Sequence, residues 1–235
     1  MARGCVIFDF DGVIADTERL HLAAYNHALA LHASATGGTL AIAPEAYFTR
    51  YIVYGNREGF YHMLRDAGLR HDDGLLRTLC AAKDELFHTK LGEFAEPLPG
   101  VREVLAFLEE QRVPRAICSG AARKEIVTLL DAFRLRHHFD VLVAIEDVRH
   151  GKPDPEGYNK AFEELNDEFD AELDKKLSLV IEDSAGGCAA GKAAGIPVLG
   201  VATSLPLEEV QRCADHAVRS LAELERGQLA KWLGL

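Results

Sequence analysis

The sequence predicts an α/β fold: a Rossmann-like parallel sheet flanked by helices, with a helical insertion near the start. Three observations predict it. Short apolar, β-branched runs alternate with amphipathic helical patterns from residue 98 onward. Several of those runs are apolar on consecutive positions, as strands covered on both faces are. The first run is cut off from the others by residues 17–97, which read as helix with one loop. Alternation of this kind implies parallel strands joined by right-handed crossovers.

Taken in order, the first strand is "CVIFDF" (5–10). The insertion follows, as "ERLHLAAYNHALALH", a loop "ASATGGTLAIAP" (33–44), "PEAYFTRYIV", "REGFYHMLRDAG" and "GLLRTLCAAKDELFHTKL". Pro97, Pro99 and Gly100 mark its exit. The helix "VREVLAFLEEQ" places Val101, Val104, Leu105 and Leu108 on one face. Strand "RAICS" (115–119) comes next, then "RKEIVTLLDAF" with Ile126, Leu129, Leu130 and Phe133 on one face. Strands "FDVLVAI" (139–145), "LSLVIED" (177–183), "PVLGVA" (197–202) and a weaker "DHAV" (215–218) complete the sheet. The acidic run 163–176 reads as a solvated helix and loop. Trp232 is expected to anchor the C-terminal helix. The expected domains are residues 1–16 with 98–235 as core, and 17–97 as an inserted cap.

Composition narrows the function. The 235 residues are 48 % hydrophobic, enough for a real core. The formal charge of −11 argues against binding nucleic acid or anionic membranes nonspecifically. Cys5, Cys80, Cys118, Cys188 and Cys213 are scattered, odd in number and without a C-x-x-C. They are expected to be reduced and mostly buried in a cytoplasmic protein. "MARGCVIFDFDG" lacks the apolar stretch of a signal peptide, and no window is long enough to span a bilayer.

Parallel sheets bind ligands at the carboxyl ends of their strands. There the sequence places Asp9 and Asp11, then Ser119, then Lys152 in "EDVRHGKPDP", then Glu182 and Asp183. Carboxylates gathered on one rim need a cation, and oxygen ligands at this density suit Mg²⁺. Ser119 can donate to a phosphoryl oxygen, and Lys152 can neutralise charge on nucleophile and transferring group. Ser119 is equally placed to cap the helix at "AARKEI". The set fits phosphoryl transfer through an aspartyl-phosphate.

In order, "DFDGV" (9–13), "ICSG" (117–120), "GKPDP" (151–155) and "IEDS" (181–184) resemble the motifs of the haloacid dehalogenase superfamily. The likeness covers nearly the whole chain, including the insertion. It implies a core of that family's type with a helical cap. Asp9 would be the nucleophile and Asp11 the general acid and base. Mg²⁺ would be held by the Asp9 side chain, the Asp11 backbone carbonyl and Asp183, with Glu182 orienting a metal-bound water or completing the shell. Backbone amides near Asp11, Gly12 and Gly120 would cradle phosphate. The D-x-D pair favours a phosphatase or phosphotransferase over cleavage of a carbon–halogen bond.

The cap resembles that of the subgroup holding sugar-phosphate phosphatases and β-phosphoglucomutase. His21, twelve residues after Asp9, and Lys83 sit near where the mutase has a cap histidine and lysine. Arg57 resembles its phosphate-binding arginine with the spacing off by about a residue. Each has a plainer reading as a polar position on a helix. The expected activity is hydrolysis of a small phosphorylated metabolite, such as a sugar phosphate, by a monomer or small homo-oligomer. The alternative is mutase-like phosphotransfer. A receiver-type phospho-acceptor is shorter, has no such insertion and carries its aspartate later; a non-catalytic binding protein of the same fold is the other alternative, set against the presence of all the motif residues. Finally, "GGCAAGKA" (186–193) nearly matches a phosphate-binding G-x-x-x-x-G-K-[ST] loop, but Ala193 replaces the hydroxyl residue. Its small residues read as a helix packed tightly on the sheet.

Overall fold

A computed structural model describes residues 3–33, 40–52, 54–94, 96–169 and 172–235. The chain divides into two compact units, Met1–Asp16 with Glu96–Leu235, and Thr17–Ala95. In the first, six strands form one parallel sheet in the order β3-β2-β1-β4-β5-β6. They are β1 Val6–Phe8, β2 Arg115–Cys118, β3 Val141–Val143, β4 Leu179–Glu182, β5 Val198–Val201 and β6 His216–Val218. Each lies inside a run expected from sequence and is shorter at one or both ends.

Strands β1, β4 and β5 are buried at every position, which explains their continuous apolar runs. Helices Val101–Glu110 and Arg123–Phe133 bury every residue expected on their inner faces. The chain order reverses between β1 and β4, which pair with Phe8 opposite Ile181. Doubly wound sheets open a crevice at such a point, beyond the strand ends. The first loop folds back there, with the Ile14 and Ala15 amides donating to the Phe10 carbonyl. Where the insertion leaves and returns, Asp16 donates to Glu96 and Leu98 to Ile14, so the two linkers run side by side.

Helix Ala185–Ala193 is the "GGCAAGKA" segment. Ser184 caps it by accepting from the Gly187 amide at 3.0 Å. A Cβ on Gly191 would lie 2.8 Å from a Val198 methyl and 3.1 Å from a Val180 methyl. Gly191 therefore serves close packing, and Lys192 lies 3.7 Å from Asp215 at the surface. Trp232, in helix Arg226–Trp232, stacks on His216 of β6 with centroids 4.1 Å apart. All five cysteines are free thiols.

The second unit packs helices Glu18–Leu31, Asn56–Asp66 and Asp73–Phe94 around Leu22, Tyr25, Leu29, Phe60, Leu64 and Leu79. The segment expected as one helix from Pro44 is a helical turn, Pro44–Ala46, running into a π-helical turn, Tyr47–Tyr51. Of the expected loop 33–44, residues 34–39 lie outside the described set, as do 170 and 171 of the acidic run. No helix among the described residues is long and apolar enough to cross a membrane.

Candidate active site

The register of the sheet brings the strand-end residues together. Asp9 follows β1 and donates its amide to Ile181 of β4 at 2.9 Å. Glu182 ends β4, and Asp183 comes next. Ser119 follows β2, its amide held by the Val143 carbonyl at 3.0 Å. Asp9, Glu182 and Asp183 are buried and each offers a carboxylate oxygen, all within 4.8 Å of one another. Lys152 reaches into this group. Its Nζ donates to Asp9 Oδ1 and to Glu182 Oε1, both at 2.6 Å.

Glu182 is the most heavily bonded of these groups. Oε1 accepts from Lys152 and from the Tyr158 hydroxyl at 2.7 Å. Oε2 accepts from the Asp183 amide, the Ser184 amide and the Ser184 hydroxyl at 2.9–3.1 Å. A carboxylate offers about four lone-pair sites, so these five donors occupy it. Glu182 thus holds Lys152 while remaining one of the three buried acids gathered there. Gly187 makes room for it: a Cβ there would sit 1.7 Å from Oε1.

Charge follows the bonding. Burial alone would raise the Glu182 pKa, but Lys152, Tyr158 and the Ser184 amide outweigh it and hold it below the usual range. Burial raises Asp9 well above its ordinary value; Lys152 opposes the rise, and Glu182 and Asp183 add to it. Burial pushes Asp183 up to about 7, opposed by Ser204 and helped by Glu182. Burial would lower Lys152, but Asp9 and Glu182 raise it well above the usual lysine value. The pocket thus holds more carboxylate than Lys152 neutralises, and the deficit falls on Asp9 and Asp183. A hard divalent cation fits this donor set.

Asp11 is half-buried beyond the first strand and adds to the rise of Asp183. The Gly12 amide donates to the Ala15 carbonyl at 2.9 Å. Its glycine identity has a steric cause. It adopts φ +75°, and a Cβ there would lie 1.9 Å from Asp183 Oδ2. Gly120 is exposed beside Ser119, with nothing within 4 Å of where a side chain would begin. Ser119 does not cap the helix Arg123–Phe133, whose cap position is Ala122; its hydroxyl accepts from the Ala121 amide at 3.0 Å.

The helical unit gathers a second polar group. Lys83 is 1 % exposed, on helix Asp73–Phe94. Its Nζ lies 3.0 Å from His21 Nδ1, 4.9 Å from the Tyr25 ring centre and 5.2 Å from that of Phe87. His21 stacks on Phe87 at 4.2 Å. With Lys83 donating to Nδ1, the neutral ring carries its proton on Nε2. Burial first, and Lys83 second, lower the His21 pKa to about 3. Arg57 stands apart from this group, in a 2.7 Å ion pair with Asp73 whose side chains are 60 % and 72 % exposed. Its neighbour Asn56 joins instead, donating to Asp84 at 2.7 Å and lying 3.5 Å from the Tyr25 hydroxyl.

Sequence reasoning missed Tyr158, Ser184, Thr203 and Ser204. The last two follow β5 on the same rim, so asking which residues end that strand would have found them. Tyr158 carried no signal beyond being an aromatic in a helical pattern.

Comparison with known proteins gives a consistent result. The sequence model of the haloacid dehalogenase-like hydrolases matches residues 6–201. A phosphorylated carbohydrates phosphatase from Thermotoga maritima is 32 % identical over 202 residues, 85 % of this chain and 86 % of that one. A validoxylamine A 7'-phosphate phosphatase from Streptomyces hygroscopicus is 30 % identical over 196 residues, covering 72 % and 87 %. Among solved structures, a CbbY variant from Rhodobacter sphaeroides in complex with xylulose-(1,5)bisphosphate superposes with a TM-score of 0.71. It is 26 % identical and covers 94 % of this chain and 96 % of that one.

Proposed function

Since the chain belongs to the haloacid dehalogenase-like hydrolases, we propose that it is a Mg²⁺-dependent phosphatase of a small phosphorylated metabolite, acting through an aspartyl-phosphate. The observation that carries the reading is Lys152 bridging Asp9 and Glu182 inside a buried, negatively overcharged pocket at the strand ends.

Lys152 holds Asp9 by Oδ1, which leaves Oδ2 to attack phosphorus in line with the leaving oxygen. As the Asp9 oxygen–phosphorus bond forms, the bond to the leaving alcohol breaks, and Asp11 gives that oxygen a proton. Asp11 then takes a proton from water as the water attacks the acyl-phosphate. Inorganic phosphate leaves and the Asp9 carboxylate is restored. Ser119 donates to a phosphoryl oxygen, and Lys152 offsets charge on the group in transfer. Gly120 lines the phosphate approach. Glu182, fixed by Tyr158 and Ser184, positions Lys152.

Mg²⁺ would be held by Asp9, Asp183 and the Asp11 backbone carbonyl. It would neutralise the excess charge so that a phosphate dianion can approach a carboxylate. Within the insertion, His21 and Lys83 are the polar residues proposed to contact the substrate's leaving group. A sugar phosphate is the favoured substrate class, supported by the names of the phosphatase relatives. Mutase-like transfer to a sugar hydroxyl would use the same residues.

The test is phosphate release from a panel of phosphorylated metabolites, with Mg²⁺ and with chelator. Mg²⁺-dependent release from sugar phosphates is expected. Undiminished release in chelator would remove the metal from the scheme. Isomerisation of β-glucose 1-phosphate well above hydrolysis would replace the phosphatase with the mutase.

A further inference from the structure

We propose that Ser204 is a positioning residue for Asp183, fixing which carboxylate oxygen the protein offers to a divalent cation. The proposal rests on the reading of Asp9 and Asp183 as cation ligands. Ser204 and Thr203 follow β5, and nothing in the motif pattern assigns them a role.

Three contacts confine Asp183 Oδ2. Ser204 Oγ donates to it in a short hydrogen bond. It also packs on Gly12, where the missing Cβ would lie 1.9 Å away. Thr203 Oγ1 comes within 3.4 Å but donates its single proton to the Gly12 carbonyl, which is closer. Thr203 therefore ties the loop after β1 to the end of β5, and Ser204 is the hydroxyl donor to the carboxylate. With Oδ2 held this way, Oδ1 is the oxygen left for a cation shared with Asp9. The terminal torsion of an aspartate is broad and roughly two-fold. Without Ser204, the carboxylate can rotate and lose that presentation. Partners of this kind around metal ligands typically set affinity by about ten- to a hundredfold.

Metal binding is measured directly, with Mn²⁺ as the probe and the free-ion electron paramagnetic resonance signal as the readout. Wild type, Ser204→Ala, Ser204→Thr and Asp183→Asn are compared in the full chain, with metal-free thermal unfolding recorded for each. Ser204→Ala is expected to bind Mn²⁺ about ten- to a hundredfold more weakly with unchanged unfolding. Ser204→Thr, which keeps the hydroxyl, should restore affinity. In turnover, the Ser204→Ala defect should appear as a raised Mg²⁺ requirement. Wild-type Mn²⁺ affinity in Ser204→Ala, with loss in Asp183→Asn, would overturn the role of Ser204 alone. Wild-type affinity in Asp183→Asn would overturn the cation reading itself.

Discussion

Acid should loosen the helical unit through His21. Its Nδ1 accepts from Lys83 at 3.0 Å, and its ring is stacked on Phe87. Protonation would set a second cation against the Lys83 ammonium and remove the acceptor that Lys83 uses. The ordinary value of 6.5 falls to about 3 in the folded protein. Between those values the unfolded chain holds more protons than the folded one, so stability falls as pH falls. The contribution is complete above the unfolded value and lost as pH descends toward the folded one. Going from about pH 7.5 to about pH 5, the two values give a loss near ~2 kcal/mol. The ring is only partly shielded from water, so we expect about 1–2 kcal/mol, a five- to thirtyfold change in the opening equilibrium. The single tryptophan, Trp232, lies in the other unit, so fluorescence would miss the event. Amide hydrogen exchange over Glu18–Leu31, expressed as protection factors at both pH values, reads it. His21→Gln keeps an acceptor for Lys83 but does not titrate, and should flatten the dependence. Equal losses of protection in wild type and His21→Gln would refute the reasoning.

Asp9→Asn should cut phosphate release by on the order of a thousandfold or more and abolish the phosphorylated intermediate seen by mass spectrometry. Because burial already disfavours the Asp9 charge, thermal unfolding of the metal-free variant should occur at or above the wild-type temperature. Gly187→Ala and Gly186→Ala should behave oppositely although they are neighbours on one helix. The first drives a Cβ to 1.7 Å from Glu182 Oε1 and should cost about 1–3 kcal/mol in urea unfolding, with a fall in turnover as Lys152 shifts. The second meets nothing within 4 Å and should be neutral or stabilising by about 0.5 kcal/mol. Arg57→Ala removes only an exposed pair with Asp73, so stability should change by less than about 1 kcal/mol, with KM unaltered. A clear rise in KM would return Arg57 to the substrate site.

The sequence by itself determined the class of fold and which polar residues gather where its strands end. Burial on both faces leaves parallel strands as continuous apolar runs, and the polar residue that ends each run stands out. Asp9, Ser119 and the Glu182–Asp183 pair were legible as candidates for that reason, with Lys152 in the loop after the third run, as was the close packing of the "GGCAAGKA" helix. Only the tertiary structure decided which partners each of those residues meets. Glu182 and Asp183 are adjacent acids with the same pattern, and sequence alone groups both with the metal. Their partners come from distant parts of the chain: Lys152 and Tyr158 donate to one carboxylate, while Ser204 and the bare face of Gly12 lie against the other. Likewise Asn56, and not Arg57, enters the polar group around Lys83 and Tyr25, because one residue turns a helix by about 100° and changes which side chain faces inward. Hydrogen-bond saturation depends on three-dimensional proximity, which local residue patterns do not encode.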